Sequence, residues 1–438
     1  MTSPSRPSWC KIMFAFEDIG SAWAFLRGLT PADLIFLLWF TVLFEIPRYL
    51  LEFLATAATA PKLSKQLGAG RPSLSRVSIL IAGHNEEESI CRCVAALREQ
   101  TYADAEIICV DDGSTDSTFA LMASLEREGQ IDRAVRCSLR GGKSSALNLA
   151  ARLARGDILI VVDSDCTFDR DAVAEILSPF VDPRVAAVSG NILARNWRAS
   201  IVASLQAIEY LIAISLGKAA SDLFNQVSCV SGAFGAFRRD AWSRLGGMDV
   251  GPGEDFDITM RLRIAGYNIA FAPRAICYTD VPDTLEGLAR QRSRWERDAF
   301  WIRLRKFRRT LAPSLASIRW QETIHQLDFI VFNVAAAALF PIYVLVLFME
   351  HGEFAIVVLI AASLGLYVMD GLSYALAVWY TGKRRYWRLA PFLVIYGPFQ
   401  SYVMRFIRLS AYIDEWILSR SREDEYVPEK VRAWSSWR

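Results

Sequence analysis

Hydrophobic and polar positions divide this chain of 438 residues into an apolar stretch near the start, a mixed middle and a longer apolar stretch toward the end. In the middle, from Val77 to about Trp301, short apolar runs alternate with helical periodicity. Val77–Ala82, Glu106–Val110 and Asp157–Val162 have the length and β-branched content of buried strands, and each ends where polar residues begin. Helical spacing fills the intervals over Glu86–Glu99, Thr115–Arg127 and Gly142–Ala154. Such alternation predicts a mostly parallel α/β sheet that binds its ligands beyond the carboxyl ends of the strands.

The flanking stretches read as membrane segments. Phe329 to Met349 is twenty-one residues without a formal charge; at about 1.5 Å per residue it measures about 31 Å, the thickness of a hydrocarbon core. Phe354 to Thr381 is a second span, interrupted once by Asp370. The turn between them, Glu350 to Glu353, is acidic and the next loop, Lys383 to Arg388, is basic, which places the basic loop in the cytoplasm. Near the start, Thr30-Pro31-Ala32-Asp33 combines a capping hydroxyl, a first-position proline and a first-turn acid, launching a helix from Leu34 to about Ala58. Glu45, Arg48 and Glu52 share one face of it and are spaced to pair with each other; a surface-lying amphipathic helix is the alternative. Leu389 to Met404, with Pro391, Gly397 and Pro398, fits a short span, a re-entrant hairpin or an interfacial helix. Ile302 to Arg309 mixes bulky apolar residues with cations and predicts a helix lying on anionic headgroups. The expected organisation is a terminal, interfacial segment 1–30; a transmembrane helix 31–60; an α/β domain 75–300; a basic interfacial helix 301–322; transmembrane helices 326–349 and 354–381; the short segment 389–412; and a tail 413–438.

Composition narrows the class. Apolar residues at 53% against 22% charged exclude a wholly soluble protein, and a net charge of 49 − 47 = +2 is too balanced for a nucleic-acid binder. Eight cysteines without a C-x-x-C pair, and only three histidines, argue against structural zinc or a disulfide framework. The cysteines from Cys91 to Cys277 sit mostly in apolar, strand-like contexts, as reduced thiols of a cytoplasmic domain do. The start lacks the features of a signal peptide, which predicts a chain kept whole.

The candidate chemistry lies at the strand ends. Gly83-His84-Asn85-Glu86-Glu87 follows the first strand, Asp111-Asp112-Gly113-Ser114-Thr115-Asp116 the second and Asp163-Ser164-Asp165 the third. Ser114, Asp116, and either of Asp111 and Asp112 read equally well as helix caps. Asp163-x-Asp165 is different, because two carboxylates on one short turn with no cation nearby in sequence are stable mainly when a divalent metal neutralises them; hard oxygen ligands suit Mg²⁺ or Mn²⁺. Gly141-Gly142-Lys143-Ser144 is not a Walker loop, since Cys137 stands where its first glycine belongs. A helix N-terminus with a lysine, a generic anion site, remains. Glu254-Asp255 opens a later helix, where Asp255 is a candidate general base. Gln291, Arg294 and Trp295 share a helical stretch beside the membrane segments.

Taken in order, Asp112, Asp163-x-Asp165, Glu254-Asp255 and Gln291-x-x-Arg294-Trp295 on an α/β domain flanked by membrane helices resemble the family 2 glycosyltransferases, and among them the processive synthases of cellulose, chitin, hyaluronan and poly-N-acetylglucosamine. The resemblance implies a GT-A (Rossmann-like) catalytic domain and a mapping of roles. Asp111 and Asp112 with Asn85, Glu86 and Glu87 would line the nucleotide pocket, Asp112 on the uracil, and Lys143 would lie along the nucleotide. Asp163 would hold nucleotide and metal, and Asp165 the metal. Asp255 would take the acceptor's proton. Gln291 and Arg294 would cover the diphosphate, while Trp295 with Ser231, Gly232 and Glu254 would form the acceptor site. Gln206-x-x-Glu209-Tyr210 matches a helix near that site, and an amphipathic surface helix is the plainer reading. His84 departs from the tyrosine common in the family.

The implied activity is inverting transfer of sugar from a UDP-sugar to a growing β-linked polysaccharide or oligosaccharide. Synthesis would be coupled to export across the cell inner or plasma membrane, from a multi-pass protein with a cytoplasmic catalytic domain. Small accessory membrane or periplasmic export proteins would be its partners, and no nucleic acid. Addition of one sugar to a membrane lipid, as by a ceramide glucosyltransferase, is the alternative.

Overall fold

The computed structural model describes residues 20, 24, 27–51, 53, 54, 58, 76–249, 251, 253–311, 320–423 and 428. Most of the expected segment 1–30, the linker after 58, residues 312–319 of the basic helix and most of the tail lie outside them. The middle of the chain is an eight-stranded mixed sheet in the order β3-β2-β1-β4-β7-β6-β8-β5. The first half comes from β1 (Val77–Gly83), α1 (Ile90–Arg98), β2 (Ala105–Asp111), α2 (Thr118–Arg127), β3 (Arg133–Arg136), α3 (Lys143–Leu153) and β4 (Ile158–Asp163), with β1–β4 all parallel. Ile158 to Val162 are at most 1% exposed, which is why this strand reads as an unbroken β-branched run covered on both faces.

The second half departs from the parallel expectation. After β5 (Thr167–Phe168) and β6 (Val185–Ala194) comes helix α4 (Ile201–Leu223), then β7 (Phe234–Arg238), which runs antiparallel to both β4 and β6. Helix α5 (Glu254–Ile264), β8 (Asn268–Thr279) and α6 (Leu285–Trp301) complete the unit. Because β7 is reversed, Phe234 at its start pairs with Val162 at the end of β4. The loop before β7 therefore arrives at the carboxyl edge of the parallel half.

Helices α7 (Trp320–His351) and α8 (Phe354–Thr381) are long and apolar enough to cross a membrane, and only 22% of the apolar window of each is buried within the protein. Apolar surface exposed on that scale fits a membrane protein. Helix α4, at 23 residues, is also long and apolar enough, but 67% of its window is buried, between β6 and α8. The helix near Gln206 is thus interior, not an amphipathic surface element.

The N-terminal helix starts as its sequence indicates. Thr30 Oγ accepts from Asp33 N at 3.2 Å, while Asp33 Oδ2 accepts from Thr30 N at 2.9 Å. It is then bent by 74° between Pro31–Leu37 and Thr41–Leu51. Glu45 pairs with Arg405, which lies over the rings of Phe40 and Phe340 at 4.9 and 4.5 Å, and Tyr49 donates to Asp370. Glu45 and Asp370 thus find partners on other helices, and Glu52 lies outside the described residues.

Segment 389–412 is helical from Leu393 through α9 (Arg405–Ile413), and α9 packs on α6 through Arg408–Glu296 at 2.9 Å and Tyr412–Glu296 at 2.6 Å. The basic loop docks on the sheet: Lys383 pairs with Asp169, Arg385 stacks on Tyr278 at 4.5 Å and Tyr386 Oη donates to Ala194 O at 2.8 Å. The loop after α8 and the α/β unit therefore lie on the same side.

Part of the run Ile302–Arg309 packs within the protein. Ile302 and Arg303 are buried, Arg305 pairs with Glu415, and Lys306 pairs with Asp249 and Asp257, both at 2.6 Å. Burial pushes the Arg303 guanidinium down to about 9, with Arg263 adding to the effect. Arg303 also donates to Gln326 of α7 at 3.1 Å, while Arg308 and Arg309 are exposed. The cysteines are free among the described residues, with Cys93, Cys109, Cys166 and Cys277 buried.

Candidate active site

Three loops meet at the carboxyl edge. Asn85 adopts φ 58°, a left-handed conformation asparagine tolerates. From there it accepts Thr115 N at 2.9 Å, while its own N–H donates to Ser114 Oγ at 2.9 Å. This clamps the loop after β1 to the loop after β2. Asp112 binds the third loop, accepting from Gly141 N at 2.7 Å and Gly142 N at 2.8 Å. Pro428 packs at this point, 3.3 Å from where a Cβ on Gly142 would stand. His84 Nδ1 lies 2.9 Å from Asp112 O.

Asp111 and Glu87 each bond within the loops. Asp111 is fully buried, accepts from Ser114 N at 3.2 Å and lies 3.7 Å from Arg136, so it supports the loop from beneath. Glu87 is exposed and accepts from Ser117 N at 2.9 Å, at the approach to α2. Both carboxylates are engaged in shaping the loops.

Lys143, the acids and the loop before β7 converge. Lys143 Nζ is 2.5 Å from Asp163 Oδ1 and 3.5 Å from Glu254 Oε1. Burial and the charges of Asp165 and Asp255 hold the Asp163 carboxyl above its usual range, outweighing the opposing pull of Lys143. Glu254 is raised by burial and by Asp255, and Glu86 by burial and by Asp165 and Asp163. Lys143 itself is raised, because the charges of Asp163 and Glu254 overcome its burial. Asp165 accepts from Thr279 Oγ1 at 3.1 Å. Asp255 Oδ2 accepts from Gly232 N at 3.0 Å. A Cβ built on Gly232 would stand 3.1 Å from Lys143 Nζ and 3.3 Å from Asp255 Oδ2, so this glycine is the seam between the Asp163 side and the Asp255 side.

The acids outnumber the cations here, with Glu86, Asp163, Asp165, Glu254 and Asp255 around Lys143. That donor chemistry fits a hard divalent cation held by Asp163 and Asp165. No three His, Cys, Asp or Glu side chains among the described residues make a site by themselves, so the remaining ligands would come from a nucleotide diphosphate and water.

On α6, Gln291, Arg294 and Trp295 fall on one face. Gln291 Oε1 is buried without a hydrogen-bond partner among the described residues, Arg294 is partly exposed and the Trp295 ring is 38% exposed. Arg292, not singled out from the sequence, is buried; it lies over the Trp295 ring at 4.4 Å and pairs with Glu209 of α4 at 2.8 Å. Lys218 was likewise missed. It is buried and donates to Ser231 Oγ at 2.6 Å and Ser189 Oγ at 2.9 Å. Neither carried a sequence signal, because an isolated Arg or Lys on a helix reads as solvated until the fold shows what covers it.

Residues 78–246 match the family model described as glycosyl transferase family 2. Over this segment the chain is similar to the family 2 glycosyltransferases. Among curated proteins, the chain is 30% identical over 244 residues to a poly-β-1,6-N-acetyl-D-glucosamine synthase of Staphylococcus epidermidis, covering 55% of this chain and 59% of the relative. It is 32% identical over 251 residues to the synthase of the same description from Staphylococcus aureus, covering 57% of this chain and 60% of that protein. The aligned part thus spans about three fifths of the curated relatives. A solved mannosyltransferase from Pyrobaculum calidifontis, in complex with GDP-Man and Mn²⁺, superposes with a TM-score of 0.53 at 22% identity, over 80% of this chain and 95% of its own. The α/β unit therefore has the GT-A-like fold.

Proposed function

We propose that this protein is a multi-pass membrane enzyme that builds a β-linked polysaccharide by inverting transfer from a UDP-sugar, with the glycosyltransferase domain in the cytoplasm. N-acetylglucosamine is the proposed sugar, after the activity named for the staphylococcal relatives. The observation that carries the reading is Gly232, whose amide holds Asp255 while its Cα abuts Lys143 and, through it, Asp163. One side of that seam suits a nucleotide diphosphate; the other presents a carboxylate.

In this reading Asp112 and Asn85 shape the nucleotide pocket, Lys143 contacts the diphosphate and Gln291 and Arg294 cover it. Asp163 and Asp165 would hold Mg²⁺ or Mn²⁺, which supplies positive charge to the departing diphosphate. Asp255 accepts the proton of the acceptor hydroxyl, anchored by the Gly232 amide, so attack comes from the face opposite the leaving group and the linkage is β. Trp295 offers its exposed ring to the acceptor sugar, with α6 and α9 leading toward the apolar helices. Export of the chain between those helices is part of this reading, and that placement supports it.

Purified protein in lipid nanodiscs, given radiolabelled UDP-N-acetylglucosamine with Mg²⁺ or Mn²⁺, is expected to yield a size series of β-linked oligomers. A single labelled lipid would replace polymer synthesis by one-sugar transfer. Release of no UDP from any of a panel of UDP-sugars would reject the donor class.

A further inference from the structure

Helix α4 carries a buried ammonium that the reaction scheme above does not use. Lys218 is 6% exposed and makes no ion pair among the described residues; its two partners are the hydroxyls of Ser231, in the loop before β7, and Ser189, in β6. An apolar side chain of the same length would fill this slot without the desolvation cost of a charge. The ammonium therefore matters for what it holds.

An ammonium only donates, so Ser231 Oγ must accept from it, and the single proton of that hydroxyl points away from Lys218. Ser189 spends its own proton on Gly190 O at 3.2 Å and accepts Ser231 N at 3.3 Å as well as Lys218. Every polar group behind the loop is thus assigned. The next residue is Gly232, whose amide donates to Asp255. Burial pulls the proton affinity of Lys218 down. The same helix carries Glu209, whose ion pair with Arg292 backs Trp295. Helix α4 thereby supports the acceptor side at two points, one under Trp295 and one under Ser231–Gly232.

We infer that Lys218 is a positioning residue for the acceptor: by donating to Ser231 and Ser189 it sets the Ser231 hydroxyl as a donor toward the incoming sugar and holds the Gly232 amide on Asp255. This rests on the proposed glycosyl transfer and adds to it a residue that governs acceptor use without touching the donor.

The test uses the full chain in nanodiscs with UDP-N-acetylglucosamine as donor and a β-linked N-acetylglucosamine trisaccharide as acceptor. Transfer and uncoupled donor hydrolysis are measured side by side. Lys218→Met is expected to raise the acceptor KM about tenfold while donor KM and hydrolysis stay within about twofold. Lys218→Arg should recover most of the loss. Ser231→Ala should reproduce it with the ammonium in place, and serves as the test if Lys218→Met does not fold. The double variant should be no worse than either single one, as expected when one residue acts through the other. An unchanged acceptor KM in Lys218→Met, an equal loss on donor and acceptor, or multiplying effects in the double variant would each overturn the inference. Wild-type protein that hydrolyses no donor would instead overturn the functional reading, which keeps the two failures apart.

Discussion

Lys143 and Asp163 form an ion pair of 2.5 Å between the first turn of α3 and the end of β4. The ammonium neutralises part of an acid cluster from a loop that Asp112 anchors by two backbone amides. Replacing Lys143 by Met removes one charge-assisted contact to the diphosphate, for an expected loss of about tenfold to a hundredfold in UDP affinity. Isothermal titration with UDP and Mn²⁺ measures it. Unchanged affinity would remove Lys143 from the donor site.

The acid cluster sets a pH dependence of stability. Burial and mutual repulsion raise Glu86, Asp163 and Glu254 above the usual carboxylate range. An acid raised on folding favours the folded state while protonated, so its contribution is full below the unfolded value and is lost as pH rises through the folded one. Lys143, raised above its own usual value, stays protonated throughout this window and adds no slope. These three acids therefore lower the stability of the ligand-free protein as pH rises from about 5 to about 7.5, and Glu254→Gln should gain melting temperature relative to the unchanged chain across that window. A steeper slope in that variant would contradict the assignment.

Asp255→Asn keeps the size of the side chain and its place beside Gly232 but removes the proton acceptor. Transfer should fall by roughly a hundredfold to ten-thousandfold while UDP binding is retained. Single-turnover assays separate the two. Full activity would exclude Asp255 as the base.

Gly232→Ala puts a methyl group 3.1 Å from Lys143 Nζ and 3.3 Å from Asp255 Oδ2. The contact is tight but not prohibitive, so the expected result is a folded protein with its melting temperature nearly kept and its turnover sharply reduced. Wild-type turnover would show that the seam tolerates displacement and that the juxtaposition is not what drives transfer.

Arg263 and Glu322 form an ion pair at 2.7 Å with both side chains 1% exposed, joining α5, which begins at Glu254-Asp255, to the first turns of α7. Glu322→Ala leaves a buried guanidinium uncompensated, at a cost of about 3–5 kcal/mol. Thermal unfolding should show a large downward shift. A Met/Leu replacement of both partners should restore much of it, and failure of the double replacement to do better than Glu322→Ala would argue against an isolated charge as the cause.

Much of the site was legible because parallel strands deliver their following residues to one edge. Once Val77–Ala82, Glu106–Val110 and Asp157–Val162 were read as strands, Asn85, Asp112 and Asp163-x-Asp165 had to share that edge, and they do. The cap at Thr30 and the two long spans were equally local signals. What misled was charge. Asp111 and Glu87 look like ligand groups in sequence, yet one is buried on Ser114 and Arg136 and the other is spent on Ser117. The cations of Ile302–Arg309 look solvated, yet Arg303, Arg305 and Lys306 are committed inside the protein.

By itself the sequence determined three of the parallel strands, which residues stand at their ends and that the flanks are apolar enough for a bilayer, because periodicity and run length are set by neighbours in the chain. Tertiary structure alone decided that β7 is reversed against β4, bringing Ser231–Gly232 and then Asp255 up to Lys143 and Asp163. It also decided that Glu45 answers Arg405, that Arg292 backs Trp295 and that Lys218 lies under Ser231. Each of these depends on which group covers a charge, and a buried charge takes its partner from whatever the fold packs against it, however distant in sequence.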